Sequence, residues 1–158
     1  MKYIVECFND QCLLEAFGIN PSFEINHKYT QGKGAVFGAL KTQKNRIGII
    51  DFDNIIDDEY FGLCKLQENI SREIEIYHEL NNNNYLIVFK RKIETMFVEE
   101  TKNSNRIDTA RKLGFDNTVG NYHNIKSDKE KLNKLKSLLT TVINHSPNLQ
   151  SLKKYLLQ

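Results

Sequence analysis

The 158-residue sequence lacks the patterns that mark several large protein classes. Its three cysteines, Cys7, Cys12 and Cys64, are odd in number and have no paired spacing, which excludes a disulfide framework and a zinc motif. They read as reduced core thiols, the state expected of a cytoplasmic protein. The four histidines (His27, His78, His123 and His145) contain no i, i+4 pair that could seat a metal on one helix face. The apolar run behind Lys2 is interrupted at Glu6, so neither a signal peptide nor a membrane span is expected. A net charge of +2 is too small to identify a nucleic-acid binder by itself. Local basic clusters stand out more: Lys41, Lys44 and Arg46 before one apolar run, and Lys90-Arg91-Lys92 after another. Taken singly, each also serves solubility. There is no internal repeat.

What is present is ordinary globular composition, 40% hydrophobic and 27% charged, in a chain long enough for one cored domain with a small appendage. Residues 1–100 read as an α/β core and 101–158 as a helical C-terminal extension packed on it. Strands are expected at Lys2–Cys7, Phe23–His27 and Arg46–Asp51, the last apolar throughout as if buried on both faces. Helices are expected at Gln11–Phe17, capped by Asn9-Asp10 and stopped at Gly18 before Pro21, and at Ala35–Lys41 after the Gln31-Gly32-Lys33-Gly34 turn. This β-α-β-α-β order predicts a mostly parallel sheet with helices on both faces.

Beyond Asp53 the pattern is weaker. Residues 54–68 read as loop plus a short helix, Glu73–Glu79 as a strand or a helix, and Tyr85–Phe89 as a strand. Helical spacing returns at Asn105–Leu113, which stops at Gly114. It returns again after a Ser127-Asp128-Lys129-Glu130 capping box, with Leu132, Leu135, Leu138, Leu139 and Val142 on one stripe, and a last helix follows Pro147.

Two acidic signals carry the functional reading. Tyr3-Ile4-Val5 runs into Glu6, and Arg46-Ile47-Gly48-Ile49-Ile50 runs into Asp51-Phe52-Asp53. In an open parallel sheet the C-terminal strand edge is where ligands bind. Acids gathered there repel one another as bare anions, and a divalent cation with a taste for hard oxygen ligands, magnesium or manganese, relieves the conflict. Glu6, Asp51 and Asp53 are the candidate ligands and catalytic acids. Asp10 is either a helix cap or a further ligand, and Glu94, in Ile93-Glu94-Thr95-Met96-Phe97, is a candidate for a second metal position. Gly32-Lys33-Gly34 lacks the P-loop pattern and reads as a turn, although Lys33 at a helix start could face a phosphate.

Val5-Glu6-Cys7-Phe8-Asn9-Asp10 and Ile49-Ile50-Asp51-Phe52-Asp53-Asn54 resemble the two acidic motifs of TOPRIM domains, a Glu after strand one and Asp-x-Asp after strand three. The resemblance spans residues 1–100 and is strongest to small stand-alone prokaryotic members related to OLD-family and ribonuclease M5-type TOPRIM domains. The family's usual Gly after the first Glu is Cys7 here. The resemblance implies a Rossmann-like sheet and a Glu/Asp-x-Asp site for Mg2+ or Mn2+. Strand passage, primer synthesis and RecR-like mediation need further elements that this sequence does not contain. The expectation is therefore a metal-dependent phosphodiester hydrolase acting on DNA or RNA, in repair, RNA processing or defence against mobile elements. Lys33, Lys90, Arg91 and Lys92 would meet the nucleic-acid backbone, and the C-terminal helices offer a surface for a protein partner or a second copy. The competing reading is a non-catalytic module of the same fold that binds nucleic acid, a nucleotide or a partner protein.

Overall fold

The apolar runs Tyr3–Val5 and Ile47–Ile50 lie side by side inside a six-stranded sheet. A computed structural model describes residues 2–20, 32–52 and 58–158 and the backbone of 25–27. Its strands are β1 (Lys2–Val5), β2 (Ile25–His27), β3 (Arg46–Asp51), β4 (Lys65–Ser71), β5 (Ile74–Glu79) and β6 (Asn84–Phe89), in spatial order β2-β1-β3-β6-β5-β4. The described helices are α1 (Phe8–Ala16), α2 (Gly32–Thr42), α3 (Glu59–Gly62), α4 (Ile93–Asn103), α5 (Ile107–Lys112), α6 (Val119–His123), α7 (Lys129–Ile143) and α8 (Pro147–Leu156).

The fold is α/β, but the expected mostly parallel, Rossmann-like sheet is parallel across only part of its width. β2, β1, β3 and β6 run parallel, whereas β6-β5-β4 is an antiparallel meander. The physical reason is connection length. Two or four residues join β4 to β5 and β5 to β6, enough for a hairpin and far too few for a parallel crossover. β4 falls where the sequence suggested only loop and helix. Five of its seven residues are exposed, so it carries no alternating apolar signature.

Helices cover both faces. On one, α1, α4, α7 and α8 bury Leu13, Leu14, Phe97, Leu138, Leu139 and Leu152 in one core with Val5, Ile49 and Ile87 of the sheet. On the other, Val36, Phe37 and Leu40 of α2 and Tyr60 of α3 pack on Ile4, Ile50 and Val88. The Leu135, Leu138, Leu139 and Val142 stripe of α7 is fully buried, as its spacing predicts. Among the described residues no helix is long and apolar enough to cross a membrane.

Local boundaries shift for identifiable reasons. α1 begins three residues earlier than expected, because Asp10 reaches back to the N–H groups of Glu6 and Cys7 at 3.1 and 3.0 Å. α2 likewise starts at Gly32, so the predicted turn forms the helix's first residues. At α7 the cap is Asp128 rather than Ser127, accepting from the Lys131 N–H at 3.1 Å. Gly18 and Gly114 end their helices at φ of +96° and +90°, the left-handed geometry that suits glycine. Asp53, and the Phe23–Glu24 part of the second expected strand, lie outside the described residues.

Candidate functional site

β1 and β3 are neighbours whose following helices lie on opposite faces, α1 with one core and α3 with the other. Their C-terminal ends therefore flank a topological switch point, the place where an open α/β sheet leaves a crevice. Val5 pairs with Ile49 and Asp51 with Phe89, so Glu6, Asp51 and the chain entering α4 emerge at one edge.

Three helix N-termini meet there. Asp10, only 1% exposed, sits in the first turn of α1 with Oδ2 on the Glu6 and Cys7 amides. At α4 the Ile93 N–H donates to Asp51 Oδ2 at 3.1 Å. At α2, Lys33 Nζ donates to the Asp51 carbonyl at 2.9 Å, and a Cβ on Gly32 would lie 3.7 Å from Glu6 Oε1. Helix N-termini carry partial positive charge and unsatisfied N–H groups, so they draw carboxylates inward that the sheet edge alone would leave in water.

The result is a group of buried and half-buried acids under electrostatic tension. Burial, followed by the charge of Asp10, pushes the Asp51 carboxyl up to about 9, with Glu94 and Glu6 adding to the rise and the Ile93 amide opposing it. Burial and the charge of Glu6 push Asp10 up to about 7, against the amide bonds from Cys7 and Glu6. Burial and the Asp10 charge likewise raise the Cys7 thiol well above its usual range, so it is inert at neutral pH. Asp10 Oδ1 and Asp51 Oδ1 are buried without a hydrogen-bond partner among the described residues. Two orphaned carboxylate oxygens in one acidic crevice have the chemistry of a hard-cation site. The fit is incomplete as described. No three His, Cys, Asp or Glu side chains among the described residues stand close enough to hold one ion together, and Asp53 is not among them.

The remaining candidates are placed as follows. Glu94, 5% exposed, belongs to the first turn of α4, where Oε1 accepts from Asn9 Nδ2 at 2.8 Å and lies 3.5 Å from His123 Nδ1. Asn9 Nδ2 also reaches the Tyr122 carbonyl at 3.3 Å, tying α6 to α1. Lys33 is at the crevice. Lys90 and Arg91 are engaged with acids of the meander and α4: Lys90 with Glu75 at 2.6 Å, and Arg91 with Glu73 at 3.0 Å and Glu99 at 2.9 Å. Lys92 is exposed at the N-cap of α4. Asn9 and His123 were not singled out from the sequence. Asn9 read only as a helix cap, and His123 stands alone, with no spacing that ties it to Glu94.

Comparison with family models, with curated proteins and with solved structures finds no match to this chain.

Proposed function

We propose that the crevice binds a divalent cation, magnesium or manganese, and hydrolyses phosphodiester bonds in DNA or RNA in the cytoplasm. The observation that carries the reading is the pair of orphaned oxygens on Asp10 and Asp51, beside Glu6, in carboxyls held abnormally protonated by burial and mutual repulsion. The charges acting on the Asp10 and Asp51 carboxyls are those of other acids, and Lys33, at the same crevice, donates to the Asp51 backbone carbonyl. Glu6 and Asp51 are the proposed ligands, with Asp53 on the adjoining segment. Asp10 holds the Glu6 backbone in place and turns its second oxygen to the cluster. A bound ion would neutralise phosphate oxygens and acidify an attacking water. Lys33 and the N-termini of α1, α2 and α4 would supply positive potential to the phosphate.

The non-hydrolytic module is favoured by a separate observation: Lys90 and Arg91 are committed to ion pairs with acids, which leaves less positive charge for a nucleic-acid backbone. Incubation with single- and double-stranded DNA and RNA in magnesium, then manganese, separates the two. Hydrolysis is expected with at least one substrate, falling to background in Glu6→Gln and unchanged in Glu130→Gln, on the exposed first turn of α7. Salt-sensitive binding without cleavage in either metal would favour the module.

A further inference from the structure

We infer that His123, beside Glu94, is a catalytic residue of this site and supplies the proton taken up by the leaving oxygen. The inference rests on the hydrolytic reading above. His123 Nδ1 lies 3.5 Å from Glu94 Oε1 while the side chain remains 64% exposed, so the ring is turned toward a buried carboxylate at one nitrogen and toward solvent beyond it. Glu94 is fixed in turn. Its Oε1 accepts from Asn9 Nδ2 at 2.8 Å, and the same Asn9 amide reaches the Tyr122 carbonyl at 3.3 Å, next to His123 in the chain. This closes a loop of contacts through α1, α4 and α6. With Nδ1 facing the Glu94 carboxylate, Nε2 is the nitrogen turned away from it and free to meet a substrate. Glu94 follows Ile93, whose N–H donates to Asp51 Oδ2, and its partner Asn9 precedes Asp10, so the pair stands beside the acid cluster.

A solitary histidine on a short helix would be unremarkable. A buried glutamate whose contacts are an orienting amide and a solvent-facing imidazole, beside an acidic crevice, has the form of an oriented acid–base group. Glu94 therefore serves His123 and not the cation. In the step, water adds to phosphorus and forms the new P–O bond. The P–O bond to the leaving sugar oxygen breaks with its electron pair, and the proton on His123 Nε2 passes to that oxygen. The attacking water gives its proton to solvent, from which the imidazole is reprotonated, so the net reaction is hydrolysis.

The test pairs two substrates. An oligonucleotide has an alkoxide leaving group that needs a proton, whereas a p-nitrophenyl phosphodiester expels a stable phenolate that does not. His123→Gln and His123→Ala should each lower kcat on the oligonucleotide about 100-fold with KM little changed, and leave hydrolysis of the p-nitrophenyl ester within a few-fold of wild type. Glu94→Gln should show the same selective loss, and the surface variant His145→Gln none. Equal losses on both substrates, or no loss on either, overturn the role assigned to His123. Wild-type protein inactive on both substrates in both metals overturns the hydrolytic reading itself, and the inference with it.

Discussion

Without divalent metal at pH 8, Asp51→Asn is expected to melt higher than the wild type. Burial and the neighbouring acids hold the Asp51 carboxyl up at about 9 and Asp10 at about 7 in the folded protein. An unfolded chain releases the same protons near ~3.9. Between those limits the native state retains protons that the unfolded state has lost, so native stability falls as pH rises through the window. It is highest, for these groups, below about pH 4 and declines until Asp51 ionises near 9. Asparagine keeps an oxygen that can accept the Ile93 amide, as Asp51 Oδ2 does at 3.1 Å, but it cannot ionise. The gap between variant and wild type should therefore be small at pH 4 and widen toward pH 9. A gain of only about 1 kcal/mol corresponds to roughly 3 °C in a domain of this size. Thermal melts in chelator across that range read it directly. A variant that melts lower than wild type at every pH would mean that the Asp51 charge stabilises the metal-free fold.

Gly48→Val should be the most damaging single change in the sheet. Gly48 lies in β3 beneath α2, and a Cβ there would sit 2.7 Å from Leu40 Cδ1, 3.0 Å from Val36 Cγ1 and 3.0 Å from Leu86 Cδ1. Two more methyl groups cannot be accommodated without moving α2 off the sheet. Overpacking of this kind costs about 1–3 kcal/mol, or roughly 3–10 °C here. The functional consequence exceeds the stability loss, because α2 carries Lys33 onto the Asp51 carbonyl and Gly32 beside Glu6. Cation affinity should fall in Gly48→Val even at temperatures where the protein remains folded. Gly38→Ala, on an exposed position of the same helix with open space around a Cβ, should instead stabilise by about 0.5–1 kcal/mol. A Gly48→Val variant that melts with the wild type would contradict the close seating of α2 on β3.

The first half of the fold was legible because its signals are local. β1, α1, α2 and β3 follow from apolar runs and helical periodicity, and Glu6 and Asp51 stand where strands run out of apolar residues. The long stripe of α7 was legible for the same reason. β4 and the antiparallel half were not, since an exposed edge strand is defined by its partner and not by its own alternation. At the candidate site the acids could be read from the sequence, but their surroundings could not. The bond from Lys33 to Asp51, the bond from Ile93 to Asp51, and the meeting of Asn9 with Glu94 join residues 18, 42 and 85 apart in the chain, and His123 meets Glu94 from a helix further on. Lys90 and Arg91 read as a basic cluster because the sequence does not reveal that Glu75, Glu73 and Glu99 stand beside them.

The central claim is that the acids at the switch point share a divalent cation, and calorimetric titration of manganese into the chelator-stripped protein tests it most directly. Wild type should give saturable binding and a melting temperature that rises with manganese, since the ion binds the folded state selectively. Asp51→Asn and Glu6→Gln should each abolish both, and Glu130→Gln neither. Identical isotherms and identical thermal shifts in wild type, Asp51→Asn and Glu6→Gln would contradict the account.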